Sequence, residues 1–239
     1  MTKNVFITGA SRGIGKAIAH AFAKEGYHLY LLCKNNLASM QEFASSLEKD
    51  YGVRTHCYAM DLADSQALEN LLDTLPAMDV VVNNAGISYV GLLTDMTISD
   101  WNQIINTNLT SAFVICRKFL PDMIQRRSGH ILNISSVWGN VGASMEVAYS
   151  TSKGGINSFT KALAKEAAPS QVQVNAIACG LIDTDMNACF SEEDLENVVA
   201  EIPADRMGRP EEVAELCLQL VQAPGYLTGQ IISLDGGWI

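Results

Sequence analysis

The sequence has no Cys-x-x-Cys pair, no cluster of histidines and no spacing that suits a metal ion. Its six cysteines (33, 57, 116, 179, 189 and 217) are scattered, most of them in apolar stretches, and its four histidines (20, 28, 56 and 130) form no group. The cysteines read as small buried hydrophobes of a reducing compartment, and no metal site is expected. Positive charge is scarce: 16 Lys and Arg stand against 26 Asp and Glu, a formal net charge of -10. Long-range repulsion then opposes nucleic acid and anionic membrane surfaces as partners, although an acidic total still allows a local basic pocket for a phosphate. Long apolar runs are missing too, with none near the ~18–20 residues of a membrane span. Met1-Thr2-Lys3-Asn4 leads straight into Val5-Phe6-Ile7, without the longer apolar core or cleavage site of a signal peptide, so a cytoplasmic protein is expected. Internal repeats, low-complexity tracts and linkers are likewise lacking. A chain of 239 residues, 48% apolar and 18% charged, is long enough for one large core. A single domain over residues 1–239 is expected.

What is present is a regular alternation. Short apolar runs at Val5–Thr8, Leu29–Cys33, His56–Ala59, Val80–Asn83, His130–Ser135, Val172–Ala178 and Ile231–Leu234 read as seven buried strands. Helical periodicity fills the intervals at Ile14–Glu25, Leu37–Tyr51, Ser65–Leu72, Leu109–Arg126, Ser150–Ala167 and Glu211–Val221, with Gly26 as a stop signal. Strict β/α alternation predicts a doubly wound α/β domain: a seven-stranded parallel sheet with helices on both faces. Its ligand crevice lies outside the carboxyl ends of the strands, so function belongs in the loops that follow them.

The first such loop is Thr8-Gly9-Ala10-Ser11-Arg12-Gly13-Ile14-Gly15. Glycines let backbone pass close to a diphosphate, and the following helix offers free N–H groups and partial positive charge. The spacing is Gly-x3-Gly-x-Gly. By itself it also fits an ordinary tight turn; its place after the first strand favours a dinucleotide. The second strand ends at Cys33, where a carboxylate would accept from the adenosine ribose and favour NAD. Lys34 and Asn35 follow instead, and Arg12 lies in the glycine loop. Two cations and no acid suggest NADP(H), because charge-assisted contacts to a 2′-phosphate are strong; the competing reading makes Lys34 a solvated surface lysine. After the third strand, Asp61-Leu62 offers either an acceptor for the adenine amino group or a helix cap. After the fourth, Asn83-Asn84-Ala85-Gly86 is small enough for close approach to a ribose, and its amides can tie neighbouring loops together.

Tyr149 and Lys153 stand four apart at the start of a helix and so share a face. A nearby ammonium lowers a phenol from its ordinary ~10 toward working pH, where an acid–base group is most useful. Ser135-Ser136 closes the fifth strand, so at least one hydroxyl enters the crevice, where it could hold a carbonyl against the phenol. Asn108 begins the preceding helix, and its amide could hold a water that relays protons from Lys153. A helix cap at Asn108 and a loop-stabilising hydroxyl at Ser136 are the plainer readings of those residues taken singly; the combination points to carbonyl chemistry.

With these motifs in order, the sequence resembles the short-chain dehydrogenase/reductase family over essentially its whole length. The matching stretches are Thr8 to Gly15, Asn83 to Gly86, Asn108, Ser136 and Tyr149 to Lys153. The resemblance implies a Rossmann domain with a catalytic tetrad of Asn108, Ser136, Tyr149 and Lys153. It also implies that Asp61 meets the adenine, that Ile182 and Thr184 hold the nicotinamide carboxamide, and that Lys153 binds the nicotinamide ribose. Gly180 to Met186, Ile202 to Ala214 and Leu234 to Gly237 look most like the 3-oxoacyl-(acyl carrier protein) reductases, which implies a small-molecule or acyl-carrier-bound carbonyl substrate and a homotetramer. Other ketones, such as a steroid or sugar-type carbonyl, stay open, as does the remote reading of a regulatory protein without turnover. One departure stands out: Cys179-Gly180 replaces the family's usual Pro-Gly. Losing proline loosens φ there, so weaker nicotinamide binding is expected. Arg126 and Arg127 are the candidate contacts for an acidic carrier protein.

Overall fold

The computed structural model describes residues 3–239, the side chain of Cys189 excepted; Met1, Thr2 and the reading of Cys189 as a buried hydrophobe lie outside the described residues. The chain runs β1 (Asn4–Thr8), α1 (Gly13–Lys24), β2 (His28–Cys33), α2 (Leu37–Tyr51), β3 (Thr55–Ala59), α3 (Ser65–Leu72) and β4 (Val80–Asn83). It continues through α4 (Ile98–Ile105), α5 (Ser111–Arg126), β5 (Gly129–Ser136), α6 (Trp138–Val141), α7 (Val147–Ala167), β6 (Val172–Cys179), α8 (Glu192–Glu201), α9 (Pro210–Gln222) and β7 (Ile231–Leu234). All seven strands are parallel, in the order β3-β2-β1-β4-β5-β6-β7. The order reverses between β1 and β4, which opens a crevice at their carboxyl ends.

Alternation along the strands divides the core. Val5, Ile7, Leu29 and Leu31 face α1, α2 and α9 through Ile18, Phe22, Met40, Leu47 and Val213. Phe6, Tyr30, Leu32 and Val81 face α3, α5 and α7 through Leu68, Leu72, Ile115, Phe119 and Ala164. Both faces of the central strands are dry, so those strands read as continuous apolar runs.

The helix expected from Leu109 starts much earlier. The chain is already helical at Ile98, where Thr97 and Asp100 form a reciprocal capping box. A single π turn at Asn106–Thr110 then joins α4 to α5. Ile98 points to solvent with 77% of its surface exposed, which disguises the periodicity of α4. The short α6 and the strongly acidic α8 were not expected either.

Candidate active site and dinucleotide crevice

The crevice has a volume of about 500 Å³ and runs from Lys34 and Asp61 at one end to Tyr149 and Met186 at the other. Its floor is the loop after β1. Arg12 caps α1 with extended backbone and gives no side-chain bond to the first turn, so the leading N–H groups of the helix are left for a ligand. The glycines are needed for closeness. A Cβ on Gly15 would stand 2.2 Å from the Gly9 carbonyl oxygen, and one on Gly9 would stand 2.8 Å from the Asn84 amide. Asn84 fastens this loop to the next one: its Nδ2 donates to the carbonyls of Thr8 (2.8 Å) and Gly9 (3.2 Å). The Thr8 hydroxyl in turn accepts from the N–H groups of Asn84 and Ala85, both at 3.0 Å. The amides do tie the loops together. Ser11, Gly13, Ile14, Ala85, Gly86 and Leu62 also line the crevice.

Ile182 and Thr184 close the crevice from the β6 side. Ile182 is buried and bridges to Gly208, and a Cβ on Gly13 would lie 3.2 Å from the Thr184 methyl. The Asn187 amide holds the Ile182 carbonyl at 2.7 Å. Arg12 reaches over to Asp185 at 3.3 Å.

The adenosine end differs from expectation in one respect. An acid does face Lys34: its Nζ lies 2.6 Å from Asp61 Oδ2. Asp61 also accepts from the Ala63 N–H at 3.0 Å, and burial opposes but does not outweigh these bonds, which keep its carboxyl below the ordinary range. It does not cap α3; Asp64 does, accepting from the Ala67 N–H at 3.0 Å.

At the other end, Tyr149, Lys153 and Ser136 converge. Tyr149 and Lys153 are buried one turn apart on α7, with Nζ 5.6 Å from the phenol ring centroid. Lys153 Nζ donates to the Ile134 carbonyl at 2.8 Å. The Ser136 hydroxyl accepts from the Trp138 N–H at 3.2 Å and stands near enough to the phenol to lower its pKa, whereas Ser135 donates to Asn157 Oδ1 at 2.6 Å. Both serines line the crevice, but the Ser135 hydroxyl is engaged by Asn157.

Electrostatics here depart from the sequence reading. Burial raises the Tyr149 phenol above its ordinary value; Ser136 opposes this, and Cys179 and Glu146 push further upward. Burial likewise lowers Lys153 to about 8. The expected drop of the phenol beside Lys153 is absent, because desolvation dominates at both buried groups. A neutral phenol is nonetheless the form that donates a proton.

Asn108 sits within the π turn, buried. Its Nδ2 donates to the Ile87 carbonyl (2.9 Å) and the Ser152 hydroxyl (3.0 Å), and its Oδ1 accepts from the Ile87 N–H (2.9 Å). Both amide donors are engaged in holding the loop after β4 against α7, which leaves the second lone pair of Oδ1 for a water. Cys179 is buried between Lys153 and β7; burial raises its thiol, which suits an inert side chain.

Comparison with known proteins places this geometry. The sequence profile of the short chain dehydrogenase family matches residues 3–195. The uncharacterized oxidoreductase YmfI of Bacillus subtilis is 40% identical over 240 residues, covering 100% of this chain and 99% of that protein. The 3-oxoacyl-[acyl-carrier-protein] reductase FabG of Aquifex aeolicus is 40% identical over 236 residues, covering 97% and 95%. A crystal structure from Beutenbergia cavernae, provisionally described as an NAD(P)-dependent gluconate 5-dehydrogenase with NADP at low occupancy, superposes with a TM-score of 0.92 at 33% identity, covering 99% and 96%. The chain belongs to the short-chain dehydrogenase/reductase family.

A short-chain dehydrogenase/reductase is an oxidoreductase that uses a nicotinamide dinucleotide, and this crevice fits one: an uncapped helix N-terminus, a glycine floor that a single Cβ would fill, and small residues along β4. Sequence reading missed the Ser88–Glu146 hydrogen bond (2.5 Å) near Tyr149 and missed Asn157, which accepts from Ser135 (2.6 Å) and donates to Asn140 (2.9 Å). Asn157 carried a signal, standing one helical turn beyond Lys153. Ser88 and Glu146 are 58 residues apart and carried none.

Proposed function

We propose that this protein is an NADP(H)-dependent carbonyl reductase acting on a 3-oxoacyl thioester, carrier-bound or free. The observation that carries the reading is the convergence of Tyr149, Ser136 and Lys153 at one end of the dinucleotide crevice. The nicotinamide, when bound, supplies the hydride. The Ser136 hydroxyl hydrogen-bonds the substrate carbonyl oxygen and fixes its angle. Tyr149, kept protonated by burial, donates its proton as the oxygen gains charge. Lys153 holds the nicotinamide ribose and restores the phenol's proton. Asn108 keeps the Ile87 loop and α7 in register for both.

For the cofactor, Gly9, Ser11, Gly13, Ile14 and Gly15 carry the diphosphate, Asp61 and Leu62 the adenine, and Asn84, Ala85 and Gly86 the ribose. Ile182 and Thr184 take the carboxamide. Lys34 and Arg12 take the 2′-phosphate. Their present partners, Asp61 and Asp185, do not argue against this: both pairs are solvent-exposed, worth ~0–1 kcal/mol, and charge-assisted bonds to a phosphate are stronger.

The thioester reading is supported by the full-length similarity to 3-oxoacyl-[acyl-carrier-protein] reductases and by an apolar rim. Val90, Leu92 and Leu93 are exposed on the loop that Gly91 fastens to Met145 at 2.8 Å, and Met145 is exposed as well. Arg126 is less suited to carrier contact beside this crevice than the sequence suggested. It bonds Asp79, Asp122 and the Met78 carbonyl at 2.7–2.8 Å, at the amino end of β5. Comparing acetoacetyl thioesters with unrelated ketones in NADPH oxidation tests the reading.

A further inference from the structure

Glu146 is a half-buried carboxylate that stands behind Ser88, a residue of the crevice wall. It is the N-terminal cap residue of α7, three positions before Tyr149, yet its side chain makes no bond to the helix's first turn. It turns instead to Ser88, whose hydroxyl donates to Oε1 at 2.5 Å. Ser88 lines the crevice beside Gly86 and Ile87. The backbone around the pair is pinned on both sides, by the Gly91 N–H on the Met145 carbonyl (2.8 Å) and the Ser150 N–H on the Glu146 carbonyl (2.8 Å). Among the described residues no lysine, arginine or histidine forms an ion pair with Glu146. After burial and Cys179, Glu146 also raises the Tyr149 phenol.

We propose that Glu146, held by Ser88, determines substrate charge. It admits carbonyl compounds that are neutral near the reacting carbon and repels those with a carboxylate there. A 3-oxo acid carries its carboxylate two carbons from the ketone; a thioester or ester hides that charge. The inference rests on the carbonyl-reductase reading and narrows it to masked 3-oxo acids. A like charge beside a partly buried site discriminates by about tenfold.

The test compares acetoacetate with its methyl ester, by turnover with NADPH and by calorimetric binding to the protein with NADP⁺, where neither ketone can be reduced. Glu146→Gln keeps an acceptor for Ser88 and removes the charge. The preference for ester over acid should fall about tenfold in both measurements, while Glu146→Asp retains it. Should the glutamine variant fail to fold, Glu146→Ser puts the same question. An ester preference that stays within about twofold of the parent's in the neutral variants overturns the proposal. If the parent turns over neither ketone nor thioester but the binding preference shifts as stated, the activity reading fails and the charge filter stands.

Discussion

At the residue scale, the site is built by burial more than by pairwise attraction. Tyr149 and Lys153 are each held toward their neutral forms, the first raised and the second lowered to about 8. For Lys153 this has a consequence for stability. Between about 8 and the ordinary lysine value of 10.5, the unfolded chain holds a proton that the folded one has released. Stability rises with pH wherever the unfolded state binds more protons, so the cost of burying Lys153 is full below about 8 and gone above 10.5. Lys153→Met should therefore melt higher than the parent at neutral pH without cofactor, and the gap should close as pH passes through that window. Parallel thermal melts check it; a gap that widens with pH contradicts the assignment. The residues that carry this chemistry were legible because they recur at helical or strand-end positions: Tyr149 and Lys153 by their four-residue spacing, Ser136 by its place at the end of β5. The partners that tune them were not. Asp61 reaches Lys34 across 27 positions and Ser88 reaches Glu146 across 58, distances that only the sheet topology brings together.

At the scale of elements, the seven strands were readable because a parallel sheet covered on both faces demands unbroken apolar runs. The helices that pack flat against it showed their period equally well. Those that escaped notice, α4 and α8, bury little: Ile104 is the only buried residue of the first, and the second has none among its described residues. The π turn at Asn108 was illegible because its cause is tertiary, in the contacts of Asn108 with Ile87 and Ser152. The loop between β1 and α1 makes a sharp prediction. Gly15→Ala places a methyl 2.2 Å from the Gly9 carbonyl, so backbone must move; overpacking of this kind costs ~1–3 kcal/mol. The variant should lose most of its NADPH affinity in a fluorescence titration and melt lower; unchanged affinity would show that the glycine floor is not the diphosphate site. At the end of β2, Lys34→Asp should reverse or erase a preference for NADPH over NADH. Equal kcat/KM for the two cofactors in the parent would count against Lys34 and Arg12 as the phosphate contacts.

At the scale of the whole molecule, one exposed apolar face stands apart from the crevice. Leu109 and Phe113 on one side and Gly155, Phe159 and Ala162 on the other line a shallow groove between α5 and α7, and Phe113 is 47% exposed. The small residues of α7 are divided in their use. Gly155 is spent inside the chain, where a Cβ would meet Leu109 at 2.7 Å, while Gly154 has room for a side chain. We propose that this face closes the homotetramer that the family resemblance implies, by symmetric packing of α5 and α7. Light scattering should give a tetramer mass for the parent and a smaller one for Phe113→Glu; a monomer mass for the parent sinks the proposal.

The claim on which the account turns is that Tyr149 is the proton donor to a substrate carbonyl. The direct measurement is NADPH oxidation with an acetoacetyl thioester, for the parent and Tyr149→Phe, beside a fluorescence titration of NADPH for each. Phenylalanine keeps the ring's packing and removes the donor, so kcat should fall by ~10²–10⁴-fold, the usual contribution of general acid catalysis, with NADPH binding retained. Near-normal turnover in the Tyr149→Phe enzyme would contradict the account.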